Sequence, residues 1–239
     1  MQLWFRVKTD DKVTAGWTNT GDTYACVHIQ HQPALHHPKL KNHKVQQAVA
    51  KLGNGGYRGV RSSISLQKLE IAANHWSTGQ VWISDDPDGY TNSLWAGWIV
   101  APTMFQDNGR TRLFIHWGDK GTVNWWLYVG DDPVGYWPKG LVPALDDGAN
   151  NVMWGGLTSG PASENASPMG NGQIPRGDYT RACTSAYMKF VDSNYNLVNA
   201  PKGQNINVDC NTNYRLDAFD GLVELGTAIL FGGPGGACS

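Results

Sequence analysis

A chain of 239 residues with a formal charge of −1, from 19 basic and 20 acidic side chains, offers no basic field for a phosphate backbone, so a nucleic-acid partner is excluded. No apolar run approaches the roughly 20 residues that span a bilayer, so no membrane partner is expected. Twenty-nine Gly, 12 Pro, 11 Trp and 9 Tyr, against glutamates only at Glu70, Glu164 and Glu224, predict short aromatic strands joined by turns, and the expected class is all-β.

Residues 1–14 (MQLWFRVKTDDKVT) hold no apolar stretch of the roughly 7 to 15 residues that a secretory leader needs. The segment 1–56 differs in composition from the rest. It contains His28, His31, His36, His37 and His43, together with Lys39, Lys41 and Lys44, and reads as an appended element. Val45, Ala48, Val49 and Leu52 recur at helical spacing ahead of Gly53, Gly55 and Gly56, which predicts one short helix and then a boundary. The expected units are therefore 1–56 and 57–239. His36 and His37 would point to opposite sides of an extended chain and have no carboxylate neighbour, so no metal site is expected. Two readings of this histidine cluster stand side by side: a segment that loosens when its imidazoles charge on acidification, and scattered solvated side chains.

Beyond Tyr57, strand signals dominate: 80–84 (QVWIS), 94–100, 112–117 (RLFIHW), 125–129, 151–154 and 186–191 are short, aromatic or β-branched, and bounded by Gly, Pro, Asp and Asn. In 125–129 both alternating faces are apolar, as in a strand covered on two sides. An antiparallel two-sheet β-sandwich fits these signals. Residues 138–145 suit a single turn, and 159–175 read as a loop carrying the sequon Asn165-Ala166-Ser167, weakened by Pro168.

Cys26, Cys183, Cys210 and Cys238 lack the CxxC spacing of a zinc or redox site, and four cysteines allow three pairings. No GxSxG surrounds a serine, and 53–59 (GNGGYRG) neither follows a strand nor opens a helix, so no cofactor is expected.

Three stretches carry a likeness: 21–46 (GDTYACVHIQHQPALHHPKLKNHKVQ), 91–117 (TNSLWAGWIVAPTMFQDNGRTRLFIHW) and 124–156 (NWWLYVGDDPVGYWPKGLVPALDDGANNVMWGG). In this order they resemble the neprosin family, secreted plant-type proteins in which an activation peptide precedes a glutamic prolyl-endopeptidase domain. The resemblance implies a β-sandwich, an extracellular location, and a segment 1–56 that docks over the catalytic sheet face. It also implies a clasp between Cys210 and Cys238, leaving Cys26 and Cys183 to pair or stay free.

Glutamic peptidases hold two carboxyl groups in one cleft, one acting as base and one as acid, so both must ionise. In the family one glutamate stands directly before AGW and the other directly after WGG. Here those positions are Trp95 and Leu157, and no catalytic residue is assigned. The resemblance places the cleft at Trp95, Trp98, Trp154, Gly155 and Gly156. Asp85, Asp86, Asp88 and Glu164 are the nearest substitutes. Trp95 reads either as a platform for a proline ring or sugar face or as a core residue, sharing a face with Gly97 and Ile99 rather than Trp98; Leu157 reads as a gap filler.

An impaired peptidase is the first expectation. A binding module for proline-rich peptide or cell-wall glycan is the second, and a peptidase with a displaced carboxylate the third. In the family, a Cys-containing hairpin and further strands separate stretches like TRLFIHW and NWW. Here only 118–124 intervene, so interior strands are expected to be missing and sheet edges exposed.

Overall fold

The computed structural model describes residues 15–17, 23–25, 43–85, 93–105, 109–117, 125–129, 132–137, 143–145, 147–219 and 223–238. Its strands are β1 (Ala15–Trp17), β2 (Thr23–Ala25), β3 (His43–Leu52), β4 (Gly59–Ile64), β5 (Trp76–Ser84), β6 (Ser93–Val100), β7 (Arg112–Trp117) and β8 (Trp125–Val129). They continue with β9 (Asp132–Trp137), β10 (Asn151–Pro161), β11 (Cys183–Val191), β12 (Leu197–Asn199), β13 (Asn205–Val208), β14 (Arg215–Phe219) and β15 (Ala228–Gly232). One helical turn, α1 (Pro102–Phe105), follows β6.

Six strands form one sheet in the order β13-β3-β10-β5-β6-β7, and a second sheet runs β12-β11-β15-β14 with β4 added beside β11. Every pairing is antiparallel; β1 with β2 and β8 with β9 make separate two-stranded ribbons. The molecule is an antiparallel two-sheet sandwich, as composition and turn spacing predict.

The interior between the sheets is one apolar cluster. Ala48, Ala50, Ile83, Leu94, Trp98, Val100, Val152 and Trp154 from the six-stranded sheet meet Cys183, Met188, Leu216, Ile229 and Phe231 from the other. Removing one indole from water takes away roughly 200 Å² of surface, worth about 5 kcal/mol as an upper bound. That gain is kept because each polar edge has a partner: the Trp98 Nε1–H donates to the Ser65 carbonyl at 3.0 Å and the Trp154 Nε1–H to the Arg61 carbonyl at 3.3 Å. Trp125 and Leu127 of β8 pack against the same core from outside the two main sheets.

The segment expected to be a helix at 45–52 is strand β3. It pairs along its whole length with β10 and along its C-terminal part with β13. Ala48, Val49 and Ala50 are all buried, so both faces are apolar there; that run blurs the alternation of a strand and mimics helical spacing. A helix would also leave the backbone groups of β10 and β13 unpaired, a cost that outweighs local propensity. β10 likewise runs to Pro161, past the four residues expected and into the expected loop. Within that loop, bridges from Ala166 to Gly236 and from Met169 to Gly233 hold the chain's last residues. The single turn expected in 138–145 is present at Pro143–Leu145.

Cys210 and Cys238 form a disulfide with Cα atoms 5.3 Å apart. Cys183 is free and buried, and burial pushes its thiol pKa up to about 12. Cys26, the histidines at 28, 31, 36 and 37, and the docking expected of residues 26–42 lie outside the described residues.

Candidate functional site

Strand register sets the two positions that the resemblance gives to the family's glutamates on one face, two strands apart. Trp82 of β5 stands opposite Trp95 of β6, and Gln80 stands opposite Gly97 on one side and Gly155 of β10 on the other. Because side chains alternate, Thr78, Gln80 and Trp82 share a face with Ile99, Gly97 and Trp95, and with Leu157, Gly155 and Met153. Gln80 is thus the centre of a three-by-three grid, with Trp95 and Leu157 at opposite corners. This face points away from the second sheet.

It is an apolar face. Val49, Trp82, Met153 and Leu157 form a buried cluster against which Trp76 and Trp95 pack. The Trp82 and Trp95 rings lie 6.1 Å apart and tilted by 45°. The Trp95 Nε1–H donates to the Ser93 hydroxyl at 2.8 Å, which orients the indole along its own strand. Leu157 is locked to β5 through Thr78, whose hydroxyl accepts from the Leu157 N–H at 3.1 Å and donates to the Leu157 carbonyl at 3.3 Å.

Two glycines flank Gln80, and neighbouring backbone packs closely against both. A Cβ on Gly97 would collide with the Gly79 carbonyl and come within 2.8 Å of the Gln80 Cβ. At Gly155, φ is +146°, and a Cβ would meet the Ala48 carbonyl and sit 2.9 Å from the Val49 Cα. Only glycine fits at either position.

The other predicted cleft residues lie elsewhere. Trp98 and Trp154 are on the opposite face, in the core between the sheets. Gly156 also faces that core, where a Cβ would come within 2.7 Å of the Phe231 ring. Gln80 was not singled out by sequence reasoning. The signal for it was a lone amide in an otherwise apolar or small stretch, STGQVWIS, of a central strand.

The substitute carboxylates are engaged or unplaced. Asp85 Oδ1 accepts from the Asn150 side chain at 2.5 Å, and Asp86 and Asp88 lie outside the described residues. Glu164 sits 3.1 Å from the His75 Nε2, at a depression of about 600 Å³ shared with Glu70 and Ser167. Among the described residues, no group of three or more His, Cys, Asp or Glu is arranged to hold a metal.

The model of the neprosin domain matches residues 73–123 and 116–234, and the model of the neprosin activation peptide matches residues 17–90. The two domain matches meet at 116–123, the connection between β7 and β8 where sequence reading expects strands to be missing. The sandwich, the order of the motifs and these matches together place the chain in the neprosin family.

Proposed function

We propose that this chain is a neprosin-type domain that does not hydrolyse peptide bonds and that holds proline-containing peptide on the outer face of its six-stranded sheet. One observation carries the first half. The positions that the resemblance gives to the family's glutamates hold Trp95 and Leu157, which belong to one apolar cluster. Acid–base cleavage of an amide needs two groups that exchange protons, and neither an indole nor an isobutyl side chain does so.

The second half rests on the same cluster. The partly buried Trp76 and Trp95 pack against the buried Trp82, and an aromatic cluster of this kind suits a proline ring. Family membership and the Cys210–Cys238 bond support an extracellular setting, since disulfides persist in oxidising compartments.

The test is digestion of a proline-containing peptide by the purified chain at mildly acidic pH, read by mass spectrometry. No products are expected, while the peptide quenches tryptophan fluorescence. Cleavage after proline overturns the first half and directs attention to Asp85, Asp86, Asp88 and Glu164. Trp95→Glu combined with Leu157→Glu tests the positions themselves: hydrolysis by the double variant supports the assignment, and a folded, inert double variant counts against it.

A further inference from the structure

The depression between the turn before β5 and the loop after β10 plays no part in the function proposed above. It measures about 600 Å³, and the exposed carboxylates of Glu70 and Glu164 line it. No lysine or arginine is among its described lining residues; Lys44 lines an adjoining, smaller depression that shares Glu164.

The same lining holds two buried polar atoms without a hydrogen-bond partner among the described residues, the His75 Nδ1 and the Ser167 Oγ. The two residues are 5% and 2% exposed. Buried polar groups are paired almost without exception, so two orphans beside one depression point to a ligand.

The His75–Glu164 pair says which chemistry would satisfy them. Glu164 Oε2 lies 3.1 Å from His75 Nε2, and a carboxylate only accepts. In the neutral ring Nε2 therefore carries the proton, and Nδ1 is left as an acceptor. The Glu70 carboxylate, the second oxygen of Glu164 and the Ser167 hydroxyl accept as well. The site offers acceptors and negative charge, and what it lacks is donors. No three His, Cys, Asp or Glu among the described residues are arranged for a metal ion, which leaves an organic cation. Ile71, Ala72, Ala166 and Pro168 add apolar wall for a hydrocarbon stem.

We propose that this depression binds a primary alkylammonium group, with its charged head on Glu164 and Glu70 and its stem along the apolar wall. A lysine side chain of a partner and a free diamine share that chemistry. The site goes beyond the peptide-holding reading and does not depend on it.

The walls are in place before a ligand arrives. The His75 N–H donates to the Ala72 carbonyl at 3.0 Å, and Gly160 leaves room for the imidazole, since a Cβ there would come 2.5 Å from the ring. The Tyr214 O–H donates to the Ser167 carbonyl at 2.6 Å, and Ala166 exchanges two backbone bonds with Gly236. Such preorganisation lowers the entropic cost of binding.

The full chain, labelled with ¹⁵N and with its backbone amides assigned, is titrated with N-acetyl-lysine amide, with the diamine cadaverine and with lysine amide acetylated on both nitrogens. Amides in 70–75 and 164–167 are expected to move with the two ammonium probes and to stay still with the uncharged control. Glu164→Gln, whose amide oxygen still accepts from His75, and Glu70→Gln are each expected to weaken binding about tenfold, as for one charge-assisted hydrogen bond. Both positions are exposed, and thermal melts confirm that the variants fold.

Tighter binding of the lysine derivative supports a protein lysine as the source, and tighter binding of cadaverine supports a free polyamine. Absence of movement with either ammonium probe overturns the site. An equal response to the acetylated control, or binding by both variants as tight as by the parent, overturns it too.

Discussion

At the scale of single residues, the outer face trades stability for an unfilled polar group. Replacing the unpaired amide with an apolar side chain removes its desolvation cost, so Gln80→Leu is expected to stabilise the fold by about 1–2 kcal/mol. In a chain of this size that raises Tm by roughly 2–5 °C, readable by calorimetry. A lower Tm would mean that the amide has a partner in solution. Cys183 gives a second test. Burial raises its thiol pKa to about 12, above the value in the unfolded chain. The proton is therefore held more tightly in the folded state. This contribution to stability is fully present below the unfolded pKa and is lost as pH rises toward 12. At pH 8 Cys183 is expected to resist thiol reagents in the native protein and to react once denatured, read by mass spectrometry of the peptide that contains it; rapid native labelling of Cys183 would contradict its burial.

At the scale of elements, position within a sheet decides strength. β10 is central and buried along nearly its whole length, whereas β7 pairs only with β6 in the six-stranded sheet. Hydrogen exchange followed by mass spectrometry should find β10 amides among the slowest and β7 amides exchanging earlier. Equal protection would mean that the β7 edge is covered. The disulfide acts on another element, the return of the chain end to the region after β13. Its 28-residue separation predicts about 3.5 kcal/mol of stabilisation from loop closure. Cys210→Ala with Cys238→Ala should lower the denaturant midpoint accordingly, and an unchanged midpoint would place its role outside folding stability.

At the scale of the whole molecule, the appended segment and the sandwich share a sheet. Composition marks a boundary near Gly56, while β3 lies between β13 and β10 and pairs with β10 throughout. A nick within residues 53–56 is therefore expected to leave the two fragments associated in native buffer and to release them only in denaturant. Gel filtration of the nicked protein reads this directly, and separation without denaturant would show that β3 contributes little to holding the sheet.

The sequence by itself determined the class and most of the central strands, because turn residues and aromatic alternation are local signals; the family and the Cys210–Cys238 clasp followed from the likeness of ordered motifs. It also located positions 95 and 157. It misread β3, since burial on both faces hides a strand's period. It missed β1, β2, β4, β9 and β12 to β15, whose short runs carry weak patterns. Strand alternation already set Trp98 apart from Trp95, but only the tertiary structure decided which face meets the second sheet and put Trp154 with Trp98 there. Only register brought Trp95, Gln80 and Leu157 onto one face, because their spacing along the chain says nothing about which residues antiparallel pairing sets side by side.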